Sequence, residues 1–221
     1  MPGFLATYRP IISTAHGRAA VQTFDLAPFV DSSCRREPDL ESSPYPAISA
    51  LCRGKLFAPR LGVGDNVVYL TKKGRYGTVP SRHWRLVAVL RVLRQFETHD
   101  AAASWYRAQG LAPPSNCIVD GNPPVPLERT GGPRPRNRFG DPADPVGVVN
   151  RWNAAYRRRA RDCGVMLATE PVLLDLYTPA VLSDEDLGLL GGRMPCTQNP
   201  PRILPDTVAR LLDFASRRHA A

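Results

Sequence analysis

GDNVVYLTKKGRYGTVPSRHWRLVAVLRVLRQF, residues 64–96, decides the fold class. Gly62, Gly64 and Asp65 mark a turn, and NVVYLT (66–71) behind them is β-branched and aromatic, the best strand in the chain. KKGRYGTVPSR (72–82) is a basic, glycine-bearing loop. HWRLVAVLRVLRQF (83–96) is a second strong strand, too long to stay flat, so a bend or bulge is expected near Leu90–Val92. Downstream, Thr98 caps a helix over 99–109, with Asp100 in its first turn and Gly110 just past its end. Residues 111–143 are rich in proline and glycine and fit no regular element except a short strand at Cys117–Val119. Asp144 then caps a helix with Pro145 at its first position, which runs to about Asp162 and stops at Gly164. Its apolar stripe is Val149, Trp152, Tyr156, Ala160 and Cys163, with Arg151, Arg157, Arg158 and Arg161 mostly on other faces.

PVLLDLY (171–177) reads as a buried strand, and a third helix spans about Asp206 to Arg218 with Val208, Leu211, Leu212 and Ala215 inward. Upstream, FLATY and AAVQTF are candidate strands within residues 1–30. DSSCRREPDLES (31–42) is a polar, charged loop, and PAISALCRGKLFAPRL (46–61) is a short apolar element leading into a turn. There is no internal repeat. The sum is an α+β protein: a small bent sheet or pseudo-barrel with about three flanking helices, in one domain over 1–221. Strands rarely alternate with helices, which disfavours a doubly wound parallel sheet.

Composition narrows the function classes. An apolar share of 43% builds a core and excludes disorder for most of the chain. The net charge is +9, and all but Lys55, Lys72 and Lys73 of the 29 cations are arginine. Arginine forks suit phosphates and planar partners. The 23 prolines, about twice the usual share, argue against long uninterrupted elements. No stretch of 18 apolar residues offers a membrane span, and MPGFLATYRP does not read as a signal peptide. Five scattered cysteines form neither a disulfide framework nor a zinc ribbon, and a reducing cytoplasm is the expected compartment. His16, His83, His99 and His219 are scattered too, so no metal and no cofactor are expected.

Each candidate site has a plain structural alternative. In the 31–41 loop, Arg35 or Arg36 would fork onto a phosphate or base edge, and Glu37 or Asp39 would accept from an exocyclic amine. Asp31, Glu37 and Asp39 are candidate general bases, and Cys34 a candidate nucleophile if its pKa is depressed. The alternative is a solvated loop whose mixed charges pair among themselves. Lys72, Lys73, Arg75, Arg82, His83 and Arg85 interleave with Tyr76 and Trp84, a pattern that suits nucleic acid; the alternative is an ordinary hairpin end. Arg134, Arg136 and Arg138 with the Arg157–Arg159 run (Arg157 and Arg158 above all) offer a peripheral phosphate surface or a solvated helix face. Trp152 and Tyr156 read as core rather than as a ligand platform. Asp184, Glu185 and Asp186 read as a helix start. The Gly62–Asp65 turn is not a phosphate loop, because no helix follows it, and no G-x-S-x-G occurs.

GDNVVYLT, the basic loop and RLVAVLRVLRQFETHDAAASWY, in that order, resemble the PUA-like superfamily of ASCH, EVE and YTH domains. With DSSCRREPDLES and ISALCR upstream, the chain is most similar to the nucleotide modification associated domains, found beside DNA base-modification genes. The likeness covers about residues 20–110; 111–143 would be an insertion and 144–221 an extension. Where related members carry Gly or Ala, this chain has Arg35, Arg36 and Glu37. The resemblance implies a pseudo-barrel and a pocket that receives a nucleobase, modified and flipped out of the stack. Its wall would draw on the 31–41 loop, Cys52, Arg53, Tyr69, Thr71 and the loop from Lys72 to Trp84. The expected function is therefore binding of nucleic acid or of a nucleotide with a modified base, without a membrane. The alternatives are a transferase or hydrolase acting on nucleotides, and an interaction module of a phage or defence operon.

Overall fold

A computed structural model describes residues 2–133 and 144–219. The fold is α+β, built on a seven-stranded mixed sheet. Its strands are β1 (Gly3–Tyr8), β2 (Ala47–Ser49), β3 (Asn66–Thr71), β4 (Trp84–Phe96), β5 (Met166–Leu174), β6 (Ala180–Leu182) and β7 (Arg202–Ile203). They lie in the order β2-β5-β4-β3-β1-β7, with β6 also on β4. Among these strands β1 and β3 pair parallel and the other strand pairs are antiparallel; a parallel bridge also joins Ala6 to Cys196. The path ends at β2 and β7, so the sheet is open rather than a closed barrel. Strands from both ends of the chain join those of 20–110 in one sheet.

The bend expected in β4 is present. Its pairing with β5 shifts register between Val89 and Leu90 and again between Val92 and Arg94. Pro171 of β5 faces Leu90 at the first irregularity, where its missing N–H costs no regular ladder bond. That strand starts earlier than PVLLDLY suggests, at Met166, and ends at Leu174. There the Asp175 carboxylate turns the chain by accepting from the N–H groups of Tyr177 and Thr178.

Among the described residues four α-helices flank the sheet: α1 (Ala15–Phe24), α2 (His99–Ala108), α3 (Pro145–Asp162) and α4 (Pro205–His219). Thr98 and Asp144 cap α2 and α3 as their sequences require, accepting from the N–H of Ala101 and of Gly147. Helix α1 corrects the expectation of a strand at AAVQTF. The Thr14 hydroxyl accepts from Gly17 N–H and starts a helix that ends at left-handed Asp25. Glycine is required at 17, because a Cβ there would lie 1.9 Å from the Ile11 carbonyl oxygen. Gly17→Ala is expected to cost about 1–3 kcal/mol through this overpacking; an unchanged urea midpoint would show that the helix yields without cost. Cys117–Val119 forms no strand either. Asn122 Nδ2 instead ties the carbonyls of Pro114 and Cys117 into a turn. The acidic trio does begin a helical turn, a 3-10 stretch over Glu185–Leu190.

Strand alternation separates two cores. Phe4, Ala6, Tyr8, Val67 and Tyr69 face one way and pack under Phe57, Ala58 and Leu61. Leu5, Val68 and Leu70 face the other and are covered by Val208, Leu211, Phe214 and Ala215 of α4. No described helix is long and apolar enough to cross a membrane.

Candidate functional site

The carboxyl ends of the parallel pair β1 and β3 open into a cavity of about 480 Å³. Thr7, Tyr8 and Arg9 from the end of β1, and Lys72 just past β3, form one side. The 31–37 loop supplies Asp31, Ser32, Ser33 and Glu37, and the segment after β2 supplies Cys52 and Arg53. Helix α3 closes the opposite wall with Trp152, Tyr156 and Arg159, and Thr197 and Gln198 complete the rim. The site forms here because parallel neighbours end side by side without a hairpin to fill the space.

Two buried carboxylates face this cavity. Asp31 accepts from Ser33 N–H at 2.8 Å, and burial raises its pKa above 3.8, against the hydrogen bonds and Arg36. Glu37 accepts from Ser49 N–H at 3.1 Å, from the Ser49 hydroxyl, and from Asn116 Nδ2 at 3.0 Å. Burial pushes its carboxyl up to about 7, although Ser49, Arg53 and Asn116 pull the other way. Beside it, Arg53 donates from Nε to the Thr197 carbonyl and from Nη2 to the Thr7 carbonyl at 2.9 Å. Its Nη1 makes no hydrogen bond and stands 4.0 Å from Glu37 Oε1. The guanidinium lies over the rings of Phe57 and Tyr69, 5.0 and 5.8 Å from their centroids. The Tyr69 hydroxyl is buried and also without a hydrogen-bond partner.

The α3 wall is aromatic and cationic. Trp152 and Tyr156 stack with centroids 6.4 Å apart and planes 26° from parallel. Arg159 lies over Tyr156 and donates to the Leu51 carbonyl at 3.1 Å. The Cys52 thiol is 3.9 Å from the Tyr156 hydroxyl, and burial pushes it up to about 12, so it stays protonated near neutral pH.

Among the residues singled out from sequence, the structure brings Asp31, Glu37, Arg53 and Lys72 together in the cavity wall. Several others hold the fold. Cys34 is buried among Leu51, Leu127, Val148 and Val149, and its thiol is pushed up to about 12, the reverse of an activated nucleophile. Asp39 accepts from the N–H and hydroxyl of both Ser42 and Ser115, a clamp between two loops. Arg35 is fully buried and donates to Asn153 Oδ1 and to the carbonyls of Ser115 and Asn122. Arg36, also buried, donates to Glu41 and to the carbonyls of Asp31 and Arg129. The 31–41 loop is therefore neither solvated nor a set of forks reaching outward; its arginines point into the protein.

The basic loop folds inward only in part: Tyr76, His83 and Trp84 are buried, while Lys72, Arg75 and Arg82 are exposed. Thr71 Oγ1 accepts from Arg85 N–H, and Tyr76 donates to the Lys72 carbonyl at 2.6 Å. His83 Nε2 accepts from Arg85 Nε, while Arg85 also donates to the carbonyls of Pro179 and Tyr76. Burial lowers the His83 pKa below 6.5. Trp84 is buried in the α4-side core, with Lys73 over its ring and paired to Asp184. Arg75, Arg157 and Arg158 are exposed, while Arg134, Arg136 and Arg138 lie outside the described residues.

Sequence reading left out Thr7, Tyr8, Arg9, Thr197 and Gln198. It put Trp152 and Tyr156 in the core, and there they are: Tyr156 is buried with Leu51, Val148 and Val149, Trp152 packs against that cluster, and both also line the cavity. One signal was available for the helix: Trp152, Tyr156 and Arg159 recur at i, i+4 and i+7 and so share a face. The rim residues carried none, because only the sheet order brings 7–9 beside 197–198. Among the described residues, no three His, Cys, Asp or Glu side chains gather to hold a metal ion. No protein-family model, no curated protein and no solved structure matches this chain.

Proposed function

We propose that the cavity binds a nucleotide, or a nucleobase presented by nucleic acid, modified bases included, in a protein of PUA-like type that serves DNA base modification. The observation that carries this is the make-up of one cavity: a stacked Trp152–Tyr156 pair on one wall, with the cations Arg9, Arg53, Lys72 and Arg159 around it. About 480 Å³ falls within the size of small-molecule sites. Cations suit the phosphate, an aromatic wall suits a base, and two carboxylates suit exocyclic amines or ring N–H groups.

The test is calorimetric titration with nucleotides and with single- and double-stranded DNA and RNA, unmodified and base-modified, from about 50 to 300 mM salt. Trp152→Ala is expected to weaken binding about tenfold or more, the usual cost of losing a stacking partner. Weak binding that ignores the base and vanishes with salt would assign the charge to a general surface property and refute the pocket.

Glu37 favours a second reading, an enzyme acting on the same ligands. A carboxyl poised near neutrality inside a ligand cavity is suited to general base work. Turnover across a nucleotide and modified-nucleoside panel, lost in Glu37→Gln, would support it; intact binding without turnover would exclude it for that panel.

A further inference from the structure

We infer that a nucleotide enters this cavity with its phosphate held at the carboxyl ends of β1 and β3, by Arg9, Lys72 and the Ser32 hydroxyl, and with its base on the Trp152 side. The inference rests on the nucleotide reading above and deepens it. The ligand class becomes a phosphorylated nucleoside rather than a nucleoside or a free base, and the four lining cations take different roles.

Accessibility and partners separate those roles. The Arg53 side chain is 1% exposed, and its Nε and Nη2 donate to the Thr197 and Thr7 carbonyls, so it is a tie within the wall. Arg159 lies over the Tyr156 ring, 5.5 Å from the centroid, and donates to the Leu51 carbonyl at 3.1 Å, so it belongs to the aromatic wall. Lys72 is exposed, and Arg9 and Ser32 are half-buried. The carboxylates of the described lining are withdrawn: Asp31 is 6% and Glu37 2% exposed, and burial shifts both toward the neutral acid. Asp31 accepts from Ser33 N–H, and the Ser33 hydroxyl is itself buried. An entering ligand therefore meets positive charge before negative, which favours an anion.

Backbone bonds bring the three phosphate groups together. Lys72 N–H donates to the Tyr8 carbonyl at 2.8 Å and extends the parallel ladder past its last pair, Tyr8 with Thr71. Ser32 N–H donates to the Arg9 carbonyl at 3.0 Å. Neighbouring strands lie about 4.8 Å apart, so Arg9 and Lys72 are within reach of one phosphate. Arg9 Nε donates to Ser13 Oγ at 2.9 Å, which steadies its guanidinium. Arg82 adds charge from outside the lining: Arg9 and Arg82 both act on Tyr76, whose hydroxyl donates to the Lys72 carbonyl. The stacked Trp152 and Tyr156 stand on the opposite wall and receive the base.

The experiment titrates the full chain with adenosine, AMP, uridine and UMP at low salt, and repeats the series with Lys72→Ala, Trp152→Ala and Lys55→Ala. Each monophosphate is expected to bind about tenfold or more tightly than its nucleoside, the worth of charge-assisted hydrogen bonds. Lys72→Ala should weaken AMP and UMP by the same factor of about ten and leave the nucleosides unchanged, because phosphate contacts carry no base preference. Trp152→Ala should weaken nucleoside and nucleotide alike. Lys55→Ala removes the same charge from an exposed residue outside the lining and should change neither. Nucleotides that bind no tighter than nucleosides overturn the subsite and leave the base pocket standing. A Lys72→Ala variant that binds AMP and UMP as the wild type does overturns it too. Binding of neither class also overturns the subsite, and the oligonucleotide titrations above then decide whether the pocket reading falls with it. The urea midpoint of Lys72→Ala, a change at an exposed side chain, should match the wild type within about 0.5 kcal/mol.

Discussion

Arg36→Met is expected to lose about 3–5 kcal/mol of stability, the cost of leaving two backbone carbonyls and a partly exposed carboxylate without their donor. Arg36 is 2% exposed and ties together two backbone carbonyls and one carboxylate. Its Nε pairs with Glu41 Oε1 at 3.0 Å, Nη1 reaches the Asp31 carbonyl, and Nη2 reaches the Arg129 carbonyl at 2.7 Å. Methionine keeps most of the volume but leaves both carbonyls and the carboxylate without their donor. The damage extends to the cavity, because Asp31 lines it directly, and Gly132 and Pro133, close after Arg129, line it too. Loss of stability and loss of ligand binding should therefore appear together. The matched control is Arg157→Ser with Arg158→Ser on the exposed face of α3, where the change should stay within about 0.5 kcal/mol. Urea denaturation of both variants decides the point: a loss below about 1 kcal/mol for Arg36→Met would mean that the loop is held by its other contacts.

The second large effect is a pH dependence carried by Glu37. Its carboxyl is raised from 4.5 to about 7, chiefly by burial, so the folded chain keeps a proton that the unfolded chain has already released. Stability from this group is therefore full at low pH and is lost as pH rises toward and through about 7. Two groups that face it do not titrate with it: burial holds the Cys52 thiol and the Tyr69 hydroxyl protonated. Asp31 and Glu41, also raised by burial, act in the same direction as Glu37. His99 acts against them. Burial lowers it from 6.5 to about 4, so its contribution grows as pH rises between those values, and His83 adds to that rise.

The clean readout is the difference between wild type and Glu37→Gln, in which the other groups cancel. That difference should fall by about 2–3 kcal/mol from pH 5 to pH 8, as a shift of this size implies. A difference that does not change with pH would show that Glu37 titrates normally in the folded protein.

Local structure was legible in the sequence wherever a backbone rule acts over a few residues. Asp144-Pro145 places the start of α3, Thr98 places the start of α2, and the β-branched run at 66–71 matches β3 residue for residue. The bend in β4 follows from strand length and twist. AAVQTF failed because a six-residue apolar-polar run suits a strand as well as a helix. The cap that decides it, Thr14 on Gly17, lies five residues upstream of the run.

What side chains do was legible only in part. Cations interleaved with aromatics in 72–85 carry the same letters whether they stack on bases or on one another. Tertiary packing places His83, Arg85, Tyr76 and Phe29 against each other, while Lys72, Arg75 and Arg82 stay exposed. The same holds for Arg35 and Arg36, whose partners are carbonyls 80 to 93 positions away as well as near neighbours. The sequence by itself determined the α+β class, the long bent strand and three of the four helices described, because these depend on local propensity and charge. The tertiary structure alone decided that β1 lies parallel to β3 and that Thr7–Arg9, Arg53, Arg159 and Thr197 converge. The physical reason is that strand pairing and hydrogen-bond satisfaction are settled between segments far apart in the chain, where no local pattern records the outcome.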